Sequence, residues 1–135
     1  MTTGPAREFV ESRLRLAQEE FLTASRMLLE YDSHKSAVDG AYYSSHYCAV
    51  AWLCHYVVRP PKSHAGLVGL FGSDAINWGL MQPEFERILG RALRARTSNT
   101  YSRDVEISQE SVASSVENAE RFLTAIRESL NQQQE

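Results

Sequence analysis

Lysine is nearly missing from this chain: of 14 basic residues only Lys35 and Lys62 are lysines, so positive charge is carried almost entirely by arginine. Long apolar runs are missing too. The longest, around Ala49 to Leu53, is far short of the roughly 20 residues that cross a bilayer, and the opening residues do not read as a charged, apolar, small-residue leader. A soluble, cytoplasmic protein that does not enter membranes is expected. The two cysteines are too few for a disulfide framework, and Cys48 and Cys54, six residues apart on one helix, cannot bond to each other. No stretch alternates apolar and polar residues as a half-buried strand would, and no internal repeat or low-complexity tract is present. An overall basic charge is also lacking. With 14 Lys+Arg against 17 Asp+Glu the net charge is −3, which argues against a protein that coats nucleic acid with its whole surface and leaves room for a local basic face.

What is present is one domain's worth of sequence, 135 residues with 43% hydrophobic and 23% charged, written in helical periodicity. Val10, Leu14, Ala17, Phe21, Ala24, Leu28 and Tyr31 recur at four- and three-residue steps, giving an amphipathic helix from about Pro5 to Tyr31. Asp32-Ser33 breaks it and caps a second helix from near His34, which is apolar on more than one face and is expected to be central. Arg59-Pro60-Pro61 stops that helix, because a proline cannot continue the hydrogen-bond ladder. Ser63 caps a short helix over His64 to about Phe71, ended by Gly72-Ser73-Asp74, and a turn is expected at Trp78-Gly79. A fourth helix is expected from Pro83 to about Arg96, a loop from Thr97 to Ile107, and a last helix capped by Ser108 with Val112, Val116, Ala119, Leu123, Ile126 and Leu130 inward. The fold class is therefore all-α, an antiparallel four- to five-helix bundle over residues 5–130 with a polar tail at 131–135.

Three features invite a chemical reading. Arg87, Arg91 and Arg94 are spaced to share one helical face, and Arg96 and Arg103 continue the basic run, forming either a phosphate groove or a solvated face paired with Glu84 and Glu86. Tyr42 and Tyr43 are adjacent, so only one can point straight into the core; the other meets a neighbour, a cleft or a second subunit. His46, Cys48, Cys54 and His55 scatter around one helix, and the one pair that shares a face, Cys48 and His55, lies about 10 Å apart along the axis, too far to ligate one ion. No metal and no cofactor are expected.

Taken in order, Gly40-Ala41-Tyr42-Tyr43, the segment Ser63-His64-Ala65-Gly66-Leu67-Val68-Gly69-Leu70-Phe71, and Arg96 with Tyr101 ahead of Val105-Glu106-Ile107-Ser108 resemble a HEPN domain. They are most similar to its small stand-alone members, over roughly residues 8–127. The resemblance implies a helical bundle that dimerises, often pairs with a minimal nucleotidyltransferase, and serves in toxin–antitoxin modules. It further implies that active members are metal-independent ribonucleases with an Arg-x(4–6)-His motif ahead of the last helix.

Here the motif position holds Arg96-Thr97-Ser98-Asn99-Thr100-Tyr101, with tyrosine where histidine should stand. Histidine, titrating near pH 6.5, both takes and gives a proton near neutral pH, whereas tyrosine, titrating near 10, is a poor base. Arg96 retains the forked contact to phosphate. Arg59-Pro60-Pro61-Lys62-Ser63-His64 matches the motif's spacing, but it is broken by two prolines and lies in the wrong connection. The expected function is thus a homodimeric HEPN protein, the partner of a minimal nucleotidyltransferase in a toxin–antitoxin-like or defence module, binding RNA or nucleotide near Arg96 and Tyr101. Arg87, Arg91, Arg94, Arg103, Tyr42 and Tyr43 are its candidate contacts, and Tyr101 is a candidate acceptor of adenylate. The alternatives are an active endoribonuclease using Arg96 and Tyr101, and a non-catalytic scaffold.

Overall fold

A computed structural model describes residues 5–31, 33–56, 63–73, 81–101 and 109–132. They form five helices, α1 (Pro5–Leu29), α2 (His34–Tyr56), α3 (His64–Phe71), α4 (Glu84–Tyr101) and α5 (Gln109–Gln132), and no strand occurs among the described residues. The all-α bundle read from the sequence is the fold observed.

Helix α2 is central, as its apolar composition demands, and packs against each of the other four. Its partnership with α1 rests on small residues. Gly40 lies against Ala24 and the Glu20 carbonyl, so closely that an added Cβ would stand 2.9 Å from the Ala24 Cβ. Farther along α2 and farther back along α1, Ser44 donates its hydroxyl to the Ala17 carbonyl at 2.8 Å. The two pairings fix α1 and α2 as antiparallel, and the bond satisfies a hydroxyl that burial would otherwise penalise.

Large side chains fill the other half. Trp52, Phe71 and Phe122 are fully buried and meet ring to ring, Trp52–Phe71 at 5.7 Å and Phe71–Phe122 at 5.4 Å between centroids. The Trp52 indole N–H donates to Ser129 Oγ at 3.3 Å, tying α2 to the end of α5. A second, smaller cluster at the other end of the bundle joins Ala24, Leu28, Ala37, Val38 and Ala41 to Val112, Val116 and Ala119.

Local signals account for several helix ends. The Ser33 carbonyl accepts the Ala37 N–H at 3.0 Å as a residue preceding a helix should, and the Ser63 hydroxyl accepts the Gly66 N–H at 3.0 Å. Three expectations are corrected. Helix α1 ends at Leu29, so Tyr31 leaves the apolar stripe and is exposed. Helix α4 runs through Thr97 to Tyr101 in place of the expected loop; the Thr97 hydroxyl bonds back to the Leu93 carbonyl at 2.9 Å, and neither glycine nor proline interrupts the turn. Helix α5 takes Asn131 and Gln132 from the expected tail. The proline break at 59–61, the Trp78-Gly79 turn and the Ser108 cap lie outside the described residues.

Candidate functional site

The last two turns of α4 carry Arg96 onto α2. Arg96 lies nine residues beyond Arg87, about two and a half turns, and so on the opposite face of the helix. This corrects the continuous stripe read from the sequence. Arg87, Arg91 and Arg94 are exposed, while Arg96 is half-buried on the face that continues Ile88, Leu89 and Ala92 toward the core. There its guanidinium carbon stands 5.5 Å from the ring centroid of Tyr42 and 5.1 Å from that of Tyr43. The two adjacent tyrosines divide as their neighbouring positions require. Tyr42 is buried, 1% exposed, and Tyr43 is half-buried with its ring edge-on to Tyr42 at 5.2 Å.

Sequence reasoning weighed His46 only as a metal ligand, but it belongs to this cluster. One turn beyond Tyr42, its Nδ1 lies 3.4 Å from the Tyr42 hydroxyl, and its ring is 5.8 Å from Tyr42 and 6.3 Å from Tyr43. The i, i+4 spacing from Tyr42 was the available signal. Burial pushes the Tyr42 phenol up to about 12, partly offset by the Arg96 charge, and Tyr43 adds to the rise. Tyr42 therefore stays protonated at neutral pH and serves as a hydrogen-bonding and stacking group, not as a base.

No carboxylate of the described residues pairs with Arg96. Glu84, read as a partner for the α4 arginines, reaches α5 and binds Arg121 at 2.8 Å. Arg96 is thus a cation resting on aromatic faces with no carboxylate of the described residues on its planar fork of N–H donors, the arrangement that suits a phosphate oxygen pair. Next to it a cleft of about 270 Å³ between α4 and α5 is lined by Arg91, Ala95, Ser45, Ser111, Ser114 and Ser115. Arg91 is therefore the one member of the exposed arginine trio that joins a concavity near Arg96; Arg87 and Arg94 do not line it.

Tyr101 is the last residue of α4, five positions past Arg96, and Arg103 lies outside the described residues. Of the residues once weighed for metal, Cys48 is fully buried and Cys54 half-buried, both thiols pushed up by burial. Among the described residues no three His, Cys, Asp or Glu side chains gather as ion ligands, and no helix is long and apolar enough to cross a membrane.

Comparison with known proteins agrees with the fold. The chain is 29% identical over 126 residues to "Putative toxin MJ0605" of Methanocaldococcus jannaschii, covering 93% of this chain and 92% of that protein. A second protein of that organism, "Putative toxin MJ0142", is 29% identical over 92 residues, 68% of this chain and 62% of its own. "UPF0332 protein PH1297" of Pyrococcus horikoshii is 30% identical over 82 residues, 61% of this chain and 56% of its own. The family model described as HEPN domain matches residues 10–129, which takes in α2, α3, α4 and nearly all of α1 and α5. The chain belongs to the HEPN domain family.

Proposed function

We propose that this protein is the HEPN component of a toxin–antitoxin-like or defence module and binds RNA or a nucleotide at Arg96. The observation that carries the reading is the Arg96 guanidinium held on the rings of Tyr42 and Tyr43 at 5.5 and 5.1 Å, with no carboxylate among the described residues competing for it. A phosphate takes the guanidinium fork and Tyr43, the more exposed ring, offers a stacking face for a base. Relatives named as toxins support the module, and a minimal nucleotidyltransferase is the partner that the family resemblance implies. Tyr101, near Arg96 in sequence, is the side chain proposed to accept adenylate from it. The working form is a homodimer.

Fluorescence anisotropy with a short single-stranded RNA tests the reading. Arg96→Ala should weaken binding at least tenfold, since charged hydrogen bonds contribute about 1.5–3 kcal/mol, while Arg26→Ala, an exposed arginine already paired with Glu30, should leave it unchanged. In chelator the RNA should remain intact, because the motif position holds Tyr101 where the nuclease histidine would be. Metal-free cleavage abolished by Arg96→Ala would replace this reading with the endoribonuclease. Absent RNA binding, with Arg96→Ala silent in cells, would leave the scaffold.

A further inference from the structure

A second basic concavity lies at the opposite end of α2. His55 is twelve residues beyond Tyr43, about 18 Å along the helix, and there α1, α2 and α5 enclose a groove of about 330 Å³. Its floor is apolar, made by Val10, Leu14 and Leu130. Its walls are charged, with Arg7 and Arg15 from α1 and Arg127 from α5 against one carboxylate among the described residues, Glu11. Glu11 is committed to Arg7 at 3.2 Å. Arg15 and Arg127 are exposed, and neither is in an ion pair with a carboxylate of the described residues. Two guanidinium groups thus share a groove with an excess positive charge, in a protein whose net charge is −3.

We infer that this groove is a binding site for a small phosphate ester with an apolar or planar body, of mononucleotide size. The volume falls at the lower end of small-molecule sites, about 300–1,000 Å³, which suits one nucleotide and not a polymer. Arg15 and Arg127 line the groove from different helices, and the assignment gives their two forks to one phosphate. The apolar floor and the His55 ring, which stands edge-on to Tyr56 at 4.6 Å, receive the body of the ligand. Burial lowers the pKa of His55, so at neutral pH it offers a neutral ring and not a third charge. A concave wall of one sign concentrates field lines and draws anions from dilute solution. The site is separate from Arg96 and does not depend on the function proposed for it.

Equilibrium dialysis of the full chain with adenosine 5′-monophosphate, inorganic phosphate and adenosine separates the contributions of charge and body. The monophosphate should bind in the submillimolar range, inorganic phosphate several-fold more weakly, and adenosine least. In the Arg96→Ala background, which removes the nucleotide contact proposed on α4, adding Arg15→Gln and Arg127→Gln should lose at least tenfold in affinity for the monophosphate with an unchanged thermal midpoint, both side chains being exposed. Monophosphate binding to Arg96→Ala that survives the two added substitutions, or that is absent at millimolar concentration, would overturn the assignment. A loss of RNA binding in Arg96→Ala with monophosphate binding intact would leave the two sites independent.

Discussion

Tyr42 shows how one buried residue links the core to the candidate site. Its hydroxyl reaches His46 while its ring lies beneath Arg96, so removing the hydroxyl leaves the packing and changes only the polar end. The shift of its phenol to about 12 makes a stability statement. In the unfolded chain a tyrosine releases its proton near pH 10, whereas folded Tyr42 holds it to about 12, so between those values the unfolded state binds fewer protons. The contribution is fully present below pH 10 and is lost as pH rises toward the folded value. Urea midpoints measured from pH 8 to 11.5 should therefore fall less steeply for Tyr42→Phe than for the native chain. Equal slopes would mean that the phenol is not protected by burial.

At the scale of elements the seam between α1 and α2 is the clearest case of a helix pair set by small side chains. Replacing Gly40 by alanine gains about 1 kcal/mol of helix propensity, yet the new methyl would stand 2.9 Å from the Ala24 Cβ and 3.2 Å from the Glu20 carbonyl, neither of which can swing aside. Overpacking of this kind costs about 1–3 kcal/mol, so Gly40→Ala should be net destabilising and lower the thermal midpoint by several degrees. Gly69→Ala, at an exposed position of α3, is the opposite case, with nothing within 4 Å of the new Cβ, and should leave the midpoint level or raise it. Calorimetry on the two variants checks both signs.

Those five helices were legible because each carries an apolar stripe and several ends carry a chemical signal, such as Ser33 before α2 or Ser63 before α3. The α4 terminus was not legible, because Thr97-Ser98-Asn99-Thr100 has the composition of a loop and its helical state depends on the turn it extends. Arg96 stood in the arginine run read from the sequence, and the run alone did not say which face it takes. Counting nine residues from Arg87 separates it from the exposed trio, and its contact with Tyr42 and Tyr43 required the packing of α4 on α2. The groove of Arg15 and Arg127 was out of reach of any local pattern, since its walls stand at opposite ends of the sequence.

For the whole molecule the relevant quantity is where the charge lies, not its total. Net acidity repels a polyanion from most of the surface, so an RNA that binds does so through the few arginines at one concavity. Arg91 lines the cleft between α4 and α5 and Arg96 follows its lining residue Ala95 in the chain, with Arg87 and Arg94 exposed on the same helix. If two to four phosphates are neutralised there, the logarithm of the binding constant should fall with the logarithm of salt at a slope of about −1.5 to −3, using roughly 0.7 per phosphate for a single strand. Anisotropy titrations across a series of potassium chloride concentrations measure it. Removing one contact by Arg96→Ala should reduce the slope by about 0.7 as well as weaken binding, whereas a residue that only supports the fold would weaken binding without changing the slope. A native slope steeper than about −5 would require phosphates along more of the surface than a chain with this charge can attract, and would place the RNA somewhere other than Arg96.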